Sequence, residues 1–153
     1  MNSDQPQYTG TESSKSGNTV RAIVLGVLAM LIGSVVYWQF TMLTNYQLGL
    51  VSIVCGALVG GAISFGSEKE DNMTLFIIGA VLGGFSVFIA DALIFADVAE
   101  REGIGDLFGK NIVERAIAIL PDLPSALEVM DWVFIAISAY EGFIIPKRLA
   151  DAN

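Results

Sequence analysis

Glu141 and Asp91 are carboxylates that fall within or against long uncharged stretches of the chain. An ionisable group in such a place is expensive, and it is by default a candidate for function. Glu141 follows Trp132 by nine residues. Trp132 is an aromatic ring suited to a membrane interface, and at about 1.5 Å of rise per residue Glu141 lies roughly 13 Å further in. That depth makes Glu141 a candidate intramembrane carboxylate able to handle a proton or a cation, with Ser138 on the same side of the helix. A second reading also fits. Pro146 follows closely, and Glu141 could then sit at the inner interface within reach of Lys147 or Arg21. Asp91 lies about 27 Å along a helix counted from Met73. This predicts a solvated end at the outer rim, near Gln39, Thr41, Thr44, Asn45 and Gln47.

Other chemistry lacks its residues. The chain has no His and a single cysteine, Cys55, so the usual zinc sites, Ser–His and Cys–His pairs and an intramolecular disulfide are excluded. Cys55 lies in an apolar run and reads as a packing residue. The stretch GIGDLFG at 103–109 has the spacing G-x-G-x-x-x-G with no strand before it, which does not meet the requirements of a nucleotide loop. The net charge is −8, and the eight Lys and Arg are scattered, so no basic patch for nucleic acid is present. The expectation is a protein without catalytic residues, bound cofactor or metal.

The elements that position these groups are set by hydropathy. Residues 22–44, 45–67 and 73–90 contain no Asp, Glu, Lys or Arg, and 132–140 begins a shorter run of the same kind. About 20 apolar residues suffice to span the hydrocarbon as a helix. The chain therefore reads as all-α and polytopic, with four transmembrane helices over about 21–43, 48–65, 73–98 and 126–145. Residues 1–20 are polar and low in aliphatics, which predicts a disordered tail and no cleavable signal peptide. Between the third and fourth helices, Ile104, Leu107, Phe108, Ile112, Ala116, Ile119 and Leu120 recur at helical spacing. They predict a short external amphipathic helix over about 104–120, lying on the membrane surface or capping the bundle. Ser125-x-x-Glu128 matches a capping box, and Pro146 should end the last helix near Ile145. Lys15, Arg21, Lys69, Lys147 and Arg148 outnumber Arg101, Lys110 and Arg115 across the bilayer. That bias predicts that both termini are cytoplasmic. Asn72-Met73-Thr74, a glycosylation pattern, then falls in an inside loop.

A near-repeat gives the packing. GALVGG at 56–61 returns as GAVLGG at 79–84. Counted from the intervening loop, the two patches sit at equal depth. In lipid, helices associate through close backbone approach at small residues. Gly56, Gly60 and Gly61, with Gly79, Gly83 and Gly84, therefore read as a seam between the second and third helices, broadened by Ala57 and Ala80. Homodimerisation through the same face, or coincidence of composition, are the competing readings. Ala22/Gly26 and Ala29/Gly33 carry similar spacing in the first helix.

Trp38, then Thr44-x-Tyr46-x-x-Gly49, then Gly56-x-x-Val59-Gly60-x-Ala62 resemble a group of uncharacterised prokaryotic four-helix inner-membrane proteins. These carry a T-G-Y-E-x-G link followed by G-x-x-V-G-x-A-V, and a T-A-Y segment in the last helix, which Ser138-Ala139-Tyr140 resembles. The resemblance implies the topology and brings no activity with it. Function then reads as a scaffold or accessory subunit of a membrane assembly, partnered by lipid and by itself or another membrane protein. A small transporter or ion-conducting oligomer using Glu141 is the alternative.

Overall fold

The computed structural model describes residues 12–47, 49–69 and 71–152, and the side chains from residue 18 onward. Every described element is helical: α1 (Glu12–Thr44), α2 (Gly49–Gly66), α3 (Met73–Arg101), a 3-10 turn (Gly105–Leu107), α4 (Ile112–Ile119), α5 (Leu123–Ala126) and α6 (Val129–Asp151). Asn18–Thr44 of α1, together with α2, α3 and α6, are long and apolar enough to cross a membrane. Their outward faces carry Leu28, Ile32, Val36, Ile77, Val81 and Phe85. In water that much contiguous apolar surface would drive association, and in lipid it meets its own kind.

The links between helices are short and locally specified. Asn45 adopts a left-handed conformation (φ 56°) and its N–H bonds the Thr41 carbonyl, which closes α1. Asn72 caps α3 by accepting from the Thr74 N–H at 3.0 Å. α1 begins at Glu12, well before residue 21, so part of the stretch expected to be disordered is helical. Once the apolar span has nucleated a helix, each further residue adds one backbone bond, and propagation into a polar segment is cheap. Residues 1–11 of the expected tail lie outside the described residues.

Two expectations about α6 are corrected. Its cap is Glu128, whose N–H bonds the Asp131 carboxylate at 2.8 Å, while the Ser125 hydroxyl donates to the Asp122 carbonyl in the preceding turn. α6 also runs through Pro146 to Asp151 instead of stopping near Ile145. Proline removes the N–H that would bond the carbonyl four residues earlier, here that of Gly142. The Gly142 carbonyl instead abuts Gly79, and the proline ring meets Gly60, where an added Cβ would sit 2.9 Å from Pro146 Cδ. The neighbouring helices thus receive what the proline displaces.

The seam between α2 and α3 is corrected in the same way: both repeats turn to α6. Positions where a Cβ of Gly56 or Gly83 would lie are occupied by the Ser138 carbonyl oxygen, 2.6 Å away for Gly83. Gly60 faces the Glu141 carbonyl at 3.2 Å, and Gly79 and Gly142 face one another's carbonyls reciprocally. Each such glycine directs a Cα–H at a carbonyl of the neighbouring helix, a weak bond that only hydrogen-sized side chains permit. Gly84 packs on Ala139 and Ile135, whereas no atom of the described residues lies within 4 Å of a Cβ at Gly61. α6 is therefore a wedge between α2 and α3.

Hydroxyls reinforce these contacts. Ser138 donates to the Gly83 carbonyl (2.8 Å), Ser34 to those of Met30 and Ser86 (2.8 Å each), and Ser86 to that of Met30 (3.1 Å). The core falls into one layer around Tyr37, Cys55, Val87, Ala90, Ile94 and Phe134, and another around Ala22, Ala29, Val59, Ile63 and Leu75. The expected amphipathic helix is broken at Gly109 and Asn111, where Asn111 caps α4 by accepting from the N–H groups of Val113 and Glu114. Its inner residues pack with Ala92, Ala96 and Leu123, so residues 102–128 form a cap over one end of the bundle. Arg115, 8% exposed, pins the cap by pairing with Glu100 and donating to the Gly109 carbonyl at 2.9 Å.

Candidate functional site

Glu141, the carboxylate favoured by its depth, is half-buried beside α2, with its Cβ against Gly56. Among the described residues it forms no ion pair. Arg21, its expected partner, reaches Glu68 at 3.9 Å and lies over the Phe65 ring instead. Ser138 and Glu141 share a side of α6 only loosely: the first faces Gly83 on α3, the second faces α2.

Asp91 reverses its expected place. It is not a solvated end: it is 1% exposed, and neither carboxylate oxygen has a hydrogen-bond partner among the described residues. Counting rise along α3 gives depth but not direction. Asp91 lies one turn beyond Val87 and two beyond Gly84, on the face that packs inward. The cap then covers the end of α3 that would otherwise be wet. Sequence spacing carried this signal, since Gly84, Val87 and Asp91 fall along one side of an ideal helix.

Three elements bring polar atoms to this region. α1 contributes Tyr37, also 1% exposed, and Trp38; the Tyr37 hydroxyl and the buried Trp38 ring N–H have no hydrogen-bond partner among the described residues. α6 contributes Asp131, 7% exposed, with one oxygen committed to the Glu128 N–H. Asp91 and Asp131 are both buried carboxylates. No Lys or Arg among the described residues is paired with either carboxylate; Arg101 is held by Asp97 at 3.2 Å and Arg115 by Glu100. Cys55 is buried in the same core layer and donates to the Gly33 carbonyl at 3.4 Å, as a packing residue should.

Two of the apolar grooves outside the bundle border small residues. One, of about 580 Å³, runs between α1 and α2 and includes Ala29, Ala57, Gly61 and Ala62. The other, of about 490 Å³, runs between α3 and α6 past Ala80, Gly84 and Ala139 to Trp132 and Pro124. Among the described residues no three metal-ligating side chains converge. Compared with protein-family models, curated proteins and solved structures, the chain has no match.

Proposed function

We propose that this chain is a non-catalytic accessory subunit of an inner-membrane assembly, with both termini cytoplasmic, that takes up a partner's transmembrane helix between α1 and α2. The supporting observation is Gly61. The other glycines of the two repeats are filled by α6, yet Gly61 stands at the floor of the α1–α2 groove with nothing among the described residues within 4 Å of an added Cβ. Ala29, Ala57 and Ala62 extend this floor. A strip of small residues facing lipid lets a second backbone approach closely, which is the main source of helix association in a bilayer. The family resemblance, in which a comparable small-residue stretch follows the T-x-Y-x-x-G link, agrees with a role in packing.

Gly61→Leu tests it, because the site is open and the substitution leaves the fold intact. Wild-type chain extracted from its native membrane should migrate as an assembly larger than one 16.3 kDa protomer, and Gly61→Leu should migrate as a smaller species. Equal migration of the two would rule the groove out as the contact.

A further inference from the structure

We propose that Arg21, Ser64 and Lys69 form a headgroup site for an anionic phospholipid at the end of the bundle where α1 and α2 meet. The site takes the lipid phosphate, and it does not depend on a partner helix filling the groove at Gly61.

Placement is the first ground. Residues 22–67 carry no charge, and Arg21 and Glu68 are the first charged residues on either side. α1 and α2 close together there: a Cβ at Gly66 would run into the backbone of Ala22. Residues flanking this contact line a pocket of about 400 Å³, formed by Arg21, Ser64, Phe65, Glu68 and Lys69. Phe65 also lines the apolar groove between α1 and α2. The pocket is thus polar on one side and joins hydrocarbon-facing surface on the other, which suits a molecule built the same way. Basic pockets between membrane helices hold lipid headgroups for this reason.

Chemistry is the second ground. Ser64 is 2% exposed, and its hydroxyl has no hydrogen-bond partner among the described residues. A buried hydroxyl left so is costly, and a phosphate oxygen in the pocket would accept from it. The Arg21 guanidinium stands over the Phe65 ring, 5.5 Å from its centre, which holds it against the apolar wall. Its pairing with Glu68 is long, 3.9 Å, and more than half of each side chain is exposed, so the pair itself contributes little. A phosphate offers the guanidinium two parallel bonds instead. Arg21, Glu68 and Lys69 together carry one net positive charge, which a phosphodiester balances. Glu68 and Lys69 both adopt left-handed backbone (φ 54° and 61°), and non-glycine residues held so gather at ligand clamps.

The experiment counts dioleoylphosphatidylglycerol bound to the full-length protein in mild detergent by native mass spectrometry, with dioleoylphosphatidylcholine and inorganic phosphate as comparisons. Wild type should bind about one phosphatidylglycerol per chain, at least about fivefold more tightly than phosphatidylcholine, and inorganic phosphate should not displace it. Arg21→Gln should lower affinity about tenfold, and Ser64→Ala by a smaller factor. Lys69→Gln, on the exposed link, should also weaken binding and keeps the test open should Arg21→Gln not fold. Arg101→Gln, at the far end of α3, should leave binding unchanged. Equal affinity for the two lipids overturns the proposal, as does displacement by inorganic phosphate, which would mark a site for free anions. So does binding that Arg21→Gln and Lys69→Gln leave unchanged, or that Arg101→Gln weakens as much as Arg21→Gln.

Discussion

The Ser138 hydroxyl ties α6 to the Gly83 carbonyl at 2.8 Å and is fully buried. Ser138→Ala should lower stability by about 0.6 kcal/mol, the mean for interhelical side-chain bonds in membranes, measurable by reversible unfolding in mixed micelles. Glu141→Gln should change stability by less than about 0.5 kcal/mol, because a half-buried group without an ion pair carries no feature that makes substitutions costly. A loss of more than about 2 kcal/mol by the same assay would show that Glu141 has a partner. Asp91→Asn should instead stabilise the chain, since it removes an ionisable group that is buried without an ion pair among the described residues. At this scale the sequence was legible in kind and misleading in place. An ionisable residue in an apolar run does mark a polar site, but rise per residue gives only depth. Whether a side chain faces the bundle depends on rotation and on the cap above it, and Asp91 needed both.

Helix boundaries followed from hydropathy to within a few residues for α2 and the start of α3, because the uncharged runs end where the links begin. Partners did not follow. A short link makes α2 and α3 neighbours in sequence, and matching depth then places Gly60 opposite Gly79. Missing was the complementary row Ser138, Gly142 and Pro146, which presents carbonyls and a ring to both glycine faces from the other side. The i, i+4, i+8 spacing of those residues was visible, yet Pro146 read as a stop. Gly83→Ala tests the wedge. Its Cβ would lie 2.6 Å from the Ser138 carbonyl oxygen, and such overpacking costs about 1–3 kcal/mol. Gly61→Ala, with open space, should be neutral. Thermal unfolding in detergent that leaves the two variants equal would contradict the arrangement.

For the whole molecule, three features share one origin. With α6 wedged between α2 and α3, the repeats are consumed inside the bundle, Gly61 is left on the surface, and the Ser138 hydroxyl is brought to the Gly83 carbonyl. Every one of these fails if the two glycine faces meet each other instead of α6. The α3–α6 contact can be locked covalently. A Cβ at Gly84 would lie 3.5 Å from Ala139 Cβ, within the separation of about 3.5–4.5 Å that a disulfide requires. With Cys55 replaced by Ala, the double variant Gly84→Cys/Ala139→Cys should form that bond under mild oxidation in native membranes. Gly61→Cys/Ala80→Cys, which a direct seam between the repeats would bring together, should remain reduced. Cross-linking of the second pair and not the first would contradict the wedge and everything built on it.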